Sequence, residues 1–134
     1  MEQIQIQTLI YTESDKEKKM GLLNKEILNE LEKNQYAFDD VIPDNAPIIV
    51  KFINPVYFGS WFVLEGKKIF NDWEFSGVEE LDNKISFTEF TLSSLEDMNL
   101  PFGEKIKIDE NYKGGTHKDL KKMVENYGDN YQLF

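Results

Sequence analysis

Apolar segments recur between positions 48 and 90, and their spacing limits the folds that this sequence can adopt. Residues 48–53 form a nearly continuous apolar run, as expected of a central strand. Three further strand candidates follow at short intervals, at 61–65, 73–78 and 85–90. Because antiparallel neighbours need only short turns, this spacing predicts an antiparallel meander.

Turn residues predict where the chain reverses. Asn54-Pro55 ends the first strand, and Gly66-Lys67-Lys68 is expected to turn the second. Asn71-Asp72 and Asp82-Asn83 have the composition of the turns that introduce the third and fourth strands. Residues 105–109 alternate between lysine and apolar residues, which predicts an edge strand.

Helix signals flank the meander. Asn24 is a good N-cap for a helix that ends near residue 34, and Ser93 and Glu96 have capping-box spacing for a short helix. Thr116 is expected to cap a last helix that Gly128 stops. The fold class predicted is α+β: an antiparallel β-meander of about five or six strands with two or three helices packed on it.

The length of 134 residues corresponds to a single domain, 1–134. Within it, residues 1–19 read as a possible N-terminal strand followed by a charged connector, and residues 20–134 as the core domain. The N-terminus lacks the basic and apolar regions of a signal peptide, and no apolar run reaches the roughly 18 residues that a membrane helix needs. There is no cysteine. We therefore expect a cytoplasmic protein without membrane association.

The charge is strongly acidic. Twenty-five Asp and Glu residues stand against fifteen basic residues, all of them Lys, which gives a formal net charge of -10. Arg is the side chain that binds phosphate and guanine bidentately, so its absence together with this charge argues against direct nucleic-acid binding. An acidic surface attracts basic protein surfaces, and a basic protein partner is the expected one.

Acidic residues concentrate in turns and helix ends. These clusters have three alternative interpretations: a solvated surface, carboxylates that hold magnesium or do acid–base chemistry, and an acidic face that imitates DNA phosphates for a basic partner. The candidate partner-binding residues are Asp39, Asp40, Asp44, Asp72, Glu74, Glu79, Glu80, Asp82, Glu96 and Asp97.

No motif supports catalysis or a bound cofactor. The single histidine, His117, cannot form a multi-histidine metal site, and no nucleophile motif accompanies it. Residues 109–114 start like a calcium loop but have Lys113 at the fifth place and Leu120 at the twelfth. Gly114-Gly115 before Thr116 matches no phosphate-binding fingerprint. We therefore predict no catalytic residues, no metal and no cofactor.

Trp61 and Trp73 occupy neighbouring strands of the predicted meander. If both point to one side, they form a cross-strand aromatic pair, which normally belongs to a core. An exposed pair would instead indicate a binding face. Burial is the favoured reading.

From residue 22 to about 108 the chain resembles the bacterial DUF (domain of unknown function) 2958 family. The segments that carry the resemblance are Leu22-Leu23-Asn24-Lys25-Glu26, Pro47-Ile48-Ile49-Val50-Lys51-Phe52, Trp61-Phe62-Val63-Leu64-Glu65, Phe75-Ser76-Gly77-Val78, Phe90-Thr91-Leu92-Ser93-Ser94-Leu95-Glu96 and Leu100-Pro101. Members of that family usually carry a Glu-Arg-Asp triplet further on, where this chain has Gly103-Glu104-Lys105. The family has no assigned activity, and its members tend to occur on plasmids, conjugative elements and phages.

The functional hypothesis is a small acidic, non-enzymatic binding protein from a phage or mobile genetic element that acts on a basic protein partner, as a counter-defence inhibitor or DNA mimic. One alternative is a carboxylate-based small-ligand or magnesium-dependent enzyme domain. Another is a homo-oligomeric accessory module that associates through an aromatic sheet face. The sequence leaves the oligomeric state open.

Overall fold

The structure is a computed structural model that describes residues 21–36 and 41–128. The predicted strand and connector within 1–19, and Asp39 and Asp40, lie outside these residues. In chain order the elements are α1 (Lys25–Lys33), β1 (Val50–Ile53), β2 (Ser60–Ile69), β3 (Asp72–Leu81), β4 (Lys84–Thr91), α2 (Leu92–Glu96), a 3-10 turn (Pro101–Gly103), β5 (Lys107–Ile108) and α3 (His117–Tyr127).

The strands form one antiparallel sheet in the order β4-β3-β2-β1-β5. The first four are neighbours in sequence and in space, which is the meander. After β4 the chain crosses to the opposite edge, where β5 pairs with β1. The predicted α+β fold with an antiparallel meander is therefore confirmed, and the segment around 107 is an edge strand as predicted.

One predicted turn is wrong. Residues 66–68 do not reverse the chain but continue β2, paired with residues 73–75 of β3. Gly66 is needed for packing instead, because a Cβ there would lie 2.9 Å from the Leu31 side chain and 3.0 Å from the Phe75 ring. The reversal lies at Phe70 and Asn71, between the paired Ile69 and Asp72.

The next turn follows the sequence pattern. Asp82 and Asn83 both have positive φ, +53° and +64°, and they connect the paired residues Leu81 and Lys84. Two consecutive left-handed residues define the type I′ hairpin, in which Asp and Asn are tolerated well. The predicted Asp82-Asn83 turn is confirmed.

Helix ends agree with the capping signals in two cases out of three. Asn24 caps α1 by accepting a 2.8 Å hydrogen bond from the Ile27 amide. Thr116 caps α3 in a capping box with Asp119. For α2 the predicted cap at Ser93 is wrong, because Thr91 is the N-cap and its hydroxyl accepts from the Ser94 amide.

The sheet separates two apolar clusters. Face A, the side to which Phe52, Trp61 and Phe75 point, is covered by α1 and α2. Face B, the side to which Phe62 and Val78 point, is covered by α3. Among the described residues, no helix is both long and apolar enough to cross a membrane.

Gly77 lets the two central strands approach closely. A Cβ on this residue would lie 1.8 Å from the carbonyl oxygen of Phe62, far inside any allowed contact. The register of the β2–β3 pair also shifts between Val63 and Glu65, so an irregularity follows directly after this contact. The Phe-Ser-Gly-Val segment of the sequence therefore has a packing reason for its glycine.

Candidate functional site

The predicted acidic residues that the structure describes do not converge on one face. Asp82 lies in the β3–β4 turn next to the start of β2, whereas Asp72 lies at the other end of β3. Glu79 shares face A with Trp61, and Glu80, its neighbour in sequence, points to face B. The length and the thickness of the sheet therefore separate these carboxylates.

Two of the acids hold the fold together. Asp72 accepts hydrogen bonds from the Trp73 amide at 2.8 Å, from the Ser93 amide at 3.0 Å and from the Ser93 hydroxyl at 2.6 Å. Partial burial acts to raise the pKa of Asp72, but the hydrogen bonds from Ser93 and Trp73 outweigh it and hold the pKa below its ordinary value. This carboxylate ties the first turn of α2 to the β2–β3 hairpin. Glu79 likewise accepts the Trp61 indole N–H at 3.0 Å.

Two further acids have partners in the fold. Asp44 lies 2.6 Å from the ammonium group of Lys121, which, through that hydrogen bond and its charge, holds the pKa of the exposed Asp44 carboxyl below its ordinary value. Glu80 accepts from the Ser60 hydroxyl at 2.5 Å across the β2–β3 pair. The remaining members of the set are Glu74, half-buried on β3, Asp82, exposed in its turn, and Asp97, the exposed C-cap of α2.

Glu96 is in a different environment. Its Oε2 atom is buried and has no hydrogen-bond donor among the described residues. Burial is the main reason that the pKa of this carboxyl is raised; a hydrogen bond from the Leu22 amide lowers the pKa in part, and the charges of Asp97 and Asp72 raise it further. The carboxyl group lines a cavity of about 660 Å³ beside β5. Lys105 and Lys107 line the same cavity, so a ligand there would meet both signs of charge.

Trp61 and Trp73 are both buried on face A. They do not form the cross-strand pair that their neighbouring strands suggest, because Trp61 pairs with Glu79 and Trp73 pairs with Lys68, at opposite ends of β2. Trp73 instead stacks on Phe75 of its own strand, with ring centroids 6.4 Å apart. These tryptophans belong to the core.

Another surface lies at the end of the sheet where the loop from β1 to β2 reverses the chain. None of the candidate acidic residues belongs to this loop. Asn54 organises this connection: its side-chain oxygen accepts from the Val56 amide at 2.9 Å and from the Tyr57 amide at 3.0 Å, and its own amide donates to the Gly59 carbonyl. The ordered loop leaves Tyr57 65% and Phe58 66% exposed. Two adjacent aromatic side chains are thus held in solvent by a defined backbone.

A groove of about 500 Å³ adjoins these two rings. Its lining includes the loop itself, Ile53, Ser60 and two charged residues, Glu80 and Lys51. The ammonium group of Lys51 is ion-paired with Asp109 at 3.4 Å. The β3–β4 turn with Asp82 is close, since a Cβ added to Gly59 would lie 3.7 Å from the side chain of Leu81. An aromatic pair, a groove with Glu80 in its lining and the turn that carries Asp82 therefore lie at one end of the sheet. We call this surface the Tyr57–Phe58 groove.

Sequence reasoning missed this groove. The signal was present in Tyr57-Phe58-Gly59, directly after the turn residues Asn54-Pro55, because large aromatic residues inside a loop are not needed for a turn. The exposure of that segment could not be read from sequence, since periodicity is undefined in a loop of this length.

The other residues that the sequence analysis considered make contacts within the fold. His117 donates from Nδ1 to the Ile42 carbonyl at 2.8 Å and packs edge-on against Phe87. Asp109 forms a 3.4 Å ion pair with Lys51. Across residues 21–36 and 41–128, no group of three or more His, Cys, Asp or Glu side chains is arranged to hold a metal ion.

Comparison with known proteins gives no relative: no protein-family model, no curated protein and no solved structure matches this chain. The resemblance to the DUF2958 family stays a prediction.

Proposed function

We propose that this chain is a small, non-enzymatic binding protein that recognises a basic protein partner through the Tyr57–Phe58 groove. The observation that carries the proposal is the exposure of Tyr57 and Phe58 on a loop whose backbone Asn54 holds in place. Aromatic side chains are enriched at protein interfaces, where their burial in a desolvated pocket supplies much of the binding free energy. Because the loop is ordered before binding, little conformational entropy is lost on association.

The charge of the groove and of the whole chain favours a basic partner. Glu80 lines the groove, and Lys51 in the same lining is already ion-paired with Asp109, so a cationic side chain that follows an apolar anchor would meet the Glu80 carboxylate. The net charge of -10 adds long-range attraction, which raises association rates more than affinity.

The positions of the acidic residues in the sheet indicate how the chain would recognise its partner. A DNA mimic needs a row of carboxylates on one surface, whereas these side chains lie on both faces and at both ends of the sheet. We therefore favour apolar docking assisted by electrostatic steering over imitation of a phosphate backbone. The chain resembles a family whose members tend to occur on mobile genetic elements. This favours a cytoplasmic host protein as the partner, because a counter-defence inhibitor acts on such a protein.

The test is a pull-down from a bacterial lysate with identification of the captured proteins. The matched variants are Y57S/F58S, which removes both exposed rings of the groove, and F102S, which removes a ring that is 91% exposed elsewhere. We expect a basic protein to be captured by the unmodified chain and by F102S, in a manner that weakens as salt is added, and to be lost with Y57S/F58S. Equal capture by both variants, or no basic protein in the eluate, would refute the proposal.

A second candidate function rests on Glu96. A carboxylate whose buried Oε2 atom has no hydrogen-bond donor among the described residues, beside a cavity of about 660 Å³, favours a small ligand with a donor group. This is the small-ligand form of the carboxylate-based alternative, because the described residues provide no group of acidic side chains arranged to hold a magnesium ion. Thermal melting with divalent ions and with nucleotides tests it, because a ligand that binds only the folded chain raises the melting midpoint. An unchanged midpoint with every ligand would remove this candidate.

A further inference from the structure

The hairpin that joins β2 to β3 ends in a protruding tip. Four consecutive residues there are exposed: Lys67, Lys68, Ile69 and Phe70. Phe70 is 93% exposed, and its φ of +54° lies in the left-handed region. We call these four residues the Phe70 tip.

Phenylalanine is an unfavourable residue at this position for two reasons. A left-handed φ crowds the Cβ of any residue that is not glycine, and Asn is tolerated there far better than Phe. The exposed ring also gains no burial from the described residues. Strained conformations that persist without a local benefit are concentrated at functional sites, which here points to burial of the ring by a second molecule.

The chemistry of the Phe70 tip is the counterpart of the Tyr57–Phe58 groove. The tip offers an aromatic ring followed by aliphatic surface, and Lys67 and Lys68 have no carboxylate within 4.0 Å among the residues the structure describes. The groove offers two aromatic rings, with the carboxylates of Glu80 and Asp82 nearby. The apolar parts match in kind, and the lysines of the tip are opposite in sign to Glu80, while Lys51 in the groove lining is ion-paired with Asp109.

The two surfaces lie at opposite ends of the same strand. Gly59 and Ser60 line the groove just as β2 begins, and Phe70 follows directly where β2 ends. Ten strand residues separate them by about 30 Å, so a chain cannot place its own tip in its own groove. A second copy has no such restriction.

We propose that the Phe70 tip of one copy docks in the Tyr57–Phe58 groove of another, so that the chain associates head to tail. The inference rests on the proposed function in using the same groove, and it names the chemistry of the partner: a turn with an exposed aromatic ring next to lysines. A contact between two different surfaces either propagates as a filament or closes into a ring, and a single docked pair leaves one tip and one groove open. Self-association then grows with concentration and competes with the basic partner for the groove.

The first experiment measures the mass of the full chain by light scattering over a range of concentrations, at about 0.15 M salt. The test variant is F70N, which removes the ring and suits the left-handed backbone. The matched control is F102N, because Phe102 has the same exposure and a φ of +62° but lies in the 3-10 turn. We expect the mass of the unmodified chain and of F102N to rise to twice the monomer mass or more, and F70N to stay monomeric.

A mixing experiment tests the pairing of tip with groove. F70N keeps the groove, and Y57S/F58S keeps the tip, so each is expected to be monomeric alone. Mixed in equal amounts, they should form dimers that do not grow further, since each dimer has lost the other two surfaces. No gain in mass on mixing would overturn the assignment of the groove as the surface that receives the tip.

The inference fails if the unmodified chain is monomeric at every concentration, or if F70N associates as the unmodified chain does. Either outcome leaves the proposed function intact, because F70N retains the groove and should capture the basic protein from a lysate at least as well. Loss of capture with Y57S/F58S, together with a monomeric unmodified chain, would show that the groove serves a different protein only. If the unmodified chain associates with itself but captures no basic protein from the lysate, the proposed function is refuted instead.

Discussion

The indole nitrogen of Trp61 donates a 3.0 Å hydrogen bond to the carboxylate of Glu79, the residue directly opposite it on β3. Trp61 is completely buried, so this N–H has no access to water. An acidic side chain that its sequence context marks as a partner-binding residue thus satisfies a donor of the core.

Replacing Glu79 separates this structural role from its charge. E79A leaves the indole N–H buried without an acceptor, and we expect it to lower the free energy of unfolding by about 1–3 kcal/mol. E79Q keeps a carbonyl acceptor and should cost clearly less. Urea denaturation of both variants gives the comparison, and equal losses would mean that the charge, not the hydrogen bond, stabilises the fold.

Asp72 should make stability depend on pH. In the folded chain the pKa of Asp72 lies below its ordinary value. Asp72 therefore adds to the free energy of unfolding above the unfolded pKa of about 3.9, and this contribution is lost as pH falls through the folded pKa. We expect D72N to be less stable than the unmodified chain by about 1 kcal/mol at neutral pH, since it loses charged hydrogen bonds to α2. The difference should shrink below about pH 4.

The measurement for Asp72 is urea denaturation of both chains at neutral and acidic pH. D97N serves as the control, because Asp97 is the exposed C-cap of α2 and its side chain accepts no hydrogen bond from the other described residues. A difference for D72N that does not change with pH would contradict the assignment.

Removing the strained phenylalanines should stabilise the monomer. F70N and F102N keep the left-handed backbone, but Asn adopts a positive φ with less steric strain than Phe. We therefore expect each variant to raise the free energy of unfolding by about 0.5–1 kcal/mol. Denaturation at low protein concentration, where association is absent, measures this. If F70N were destabilised there, the ring would have contacts within its own chain.

Gly77 should tolerate no side chain. A Cβ 1.8 Å from the Phe62 carbonyl oxygen forces the central strands apart, and we expect G77A to lower the free energy of unfolding by more than about 3 kcal/mol. S76A, at the adjacent position, should change it by less than about 1 kcal/mol. Thermal melting distinguishes the two, and a well-folded G77A would show that the strands can separate at little cost.

Sequence patterns anticipated the fold well where they report local preferences. Asn24, Thr116 and the Asp82-Asn83 turn all act within a few residues, and each performs the role its type predicts. The failures come from tertiary packing. Gly66 looks like a turn residue, yet it is required where the Leu31 and Phe75 side chains leave no room for a Cβ.

The candidate site was less accessible from sequence than the fold. Clusters of acids along the chain do not show which carboxylates are already engaged, as Asp72 is with Ser93 and Glu79 is with Trp61. Nor does a loop sequence show that Tyr57 and Phe58 are left in solvent. Both properties depend on contacts between residues that are distant along the chain.

The segment before β1 runs beside the start of α3. Ile48 donates to the Gly115 carbonyl, and the amides of His117 and Lys118 donate to the carbonyls of Ala46 and Asp44. During synthesis the four strands of the meander are made before residues 115–118, and domains fold as their amino-terminal parts become available. Until α3 is made, the carbonyls of Ala46 and Asp44 lack these donors and face B lacks the helix that covers it.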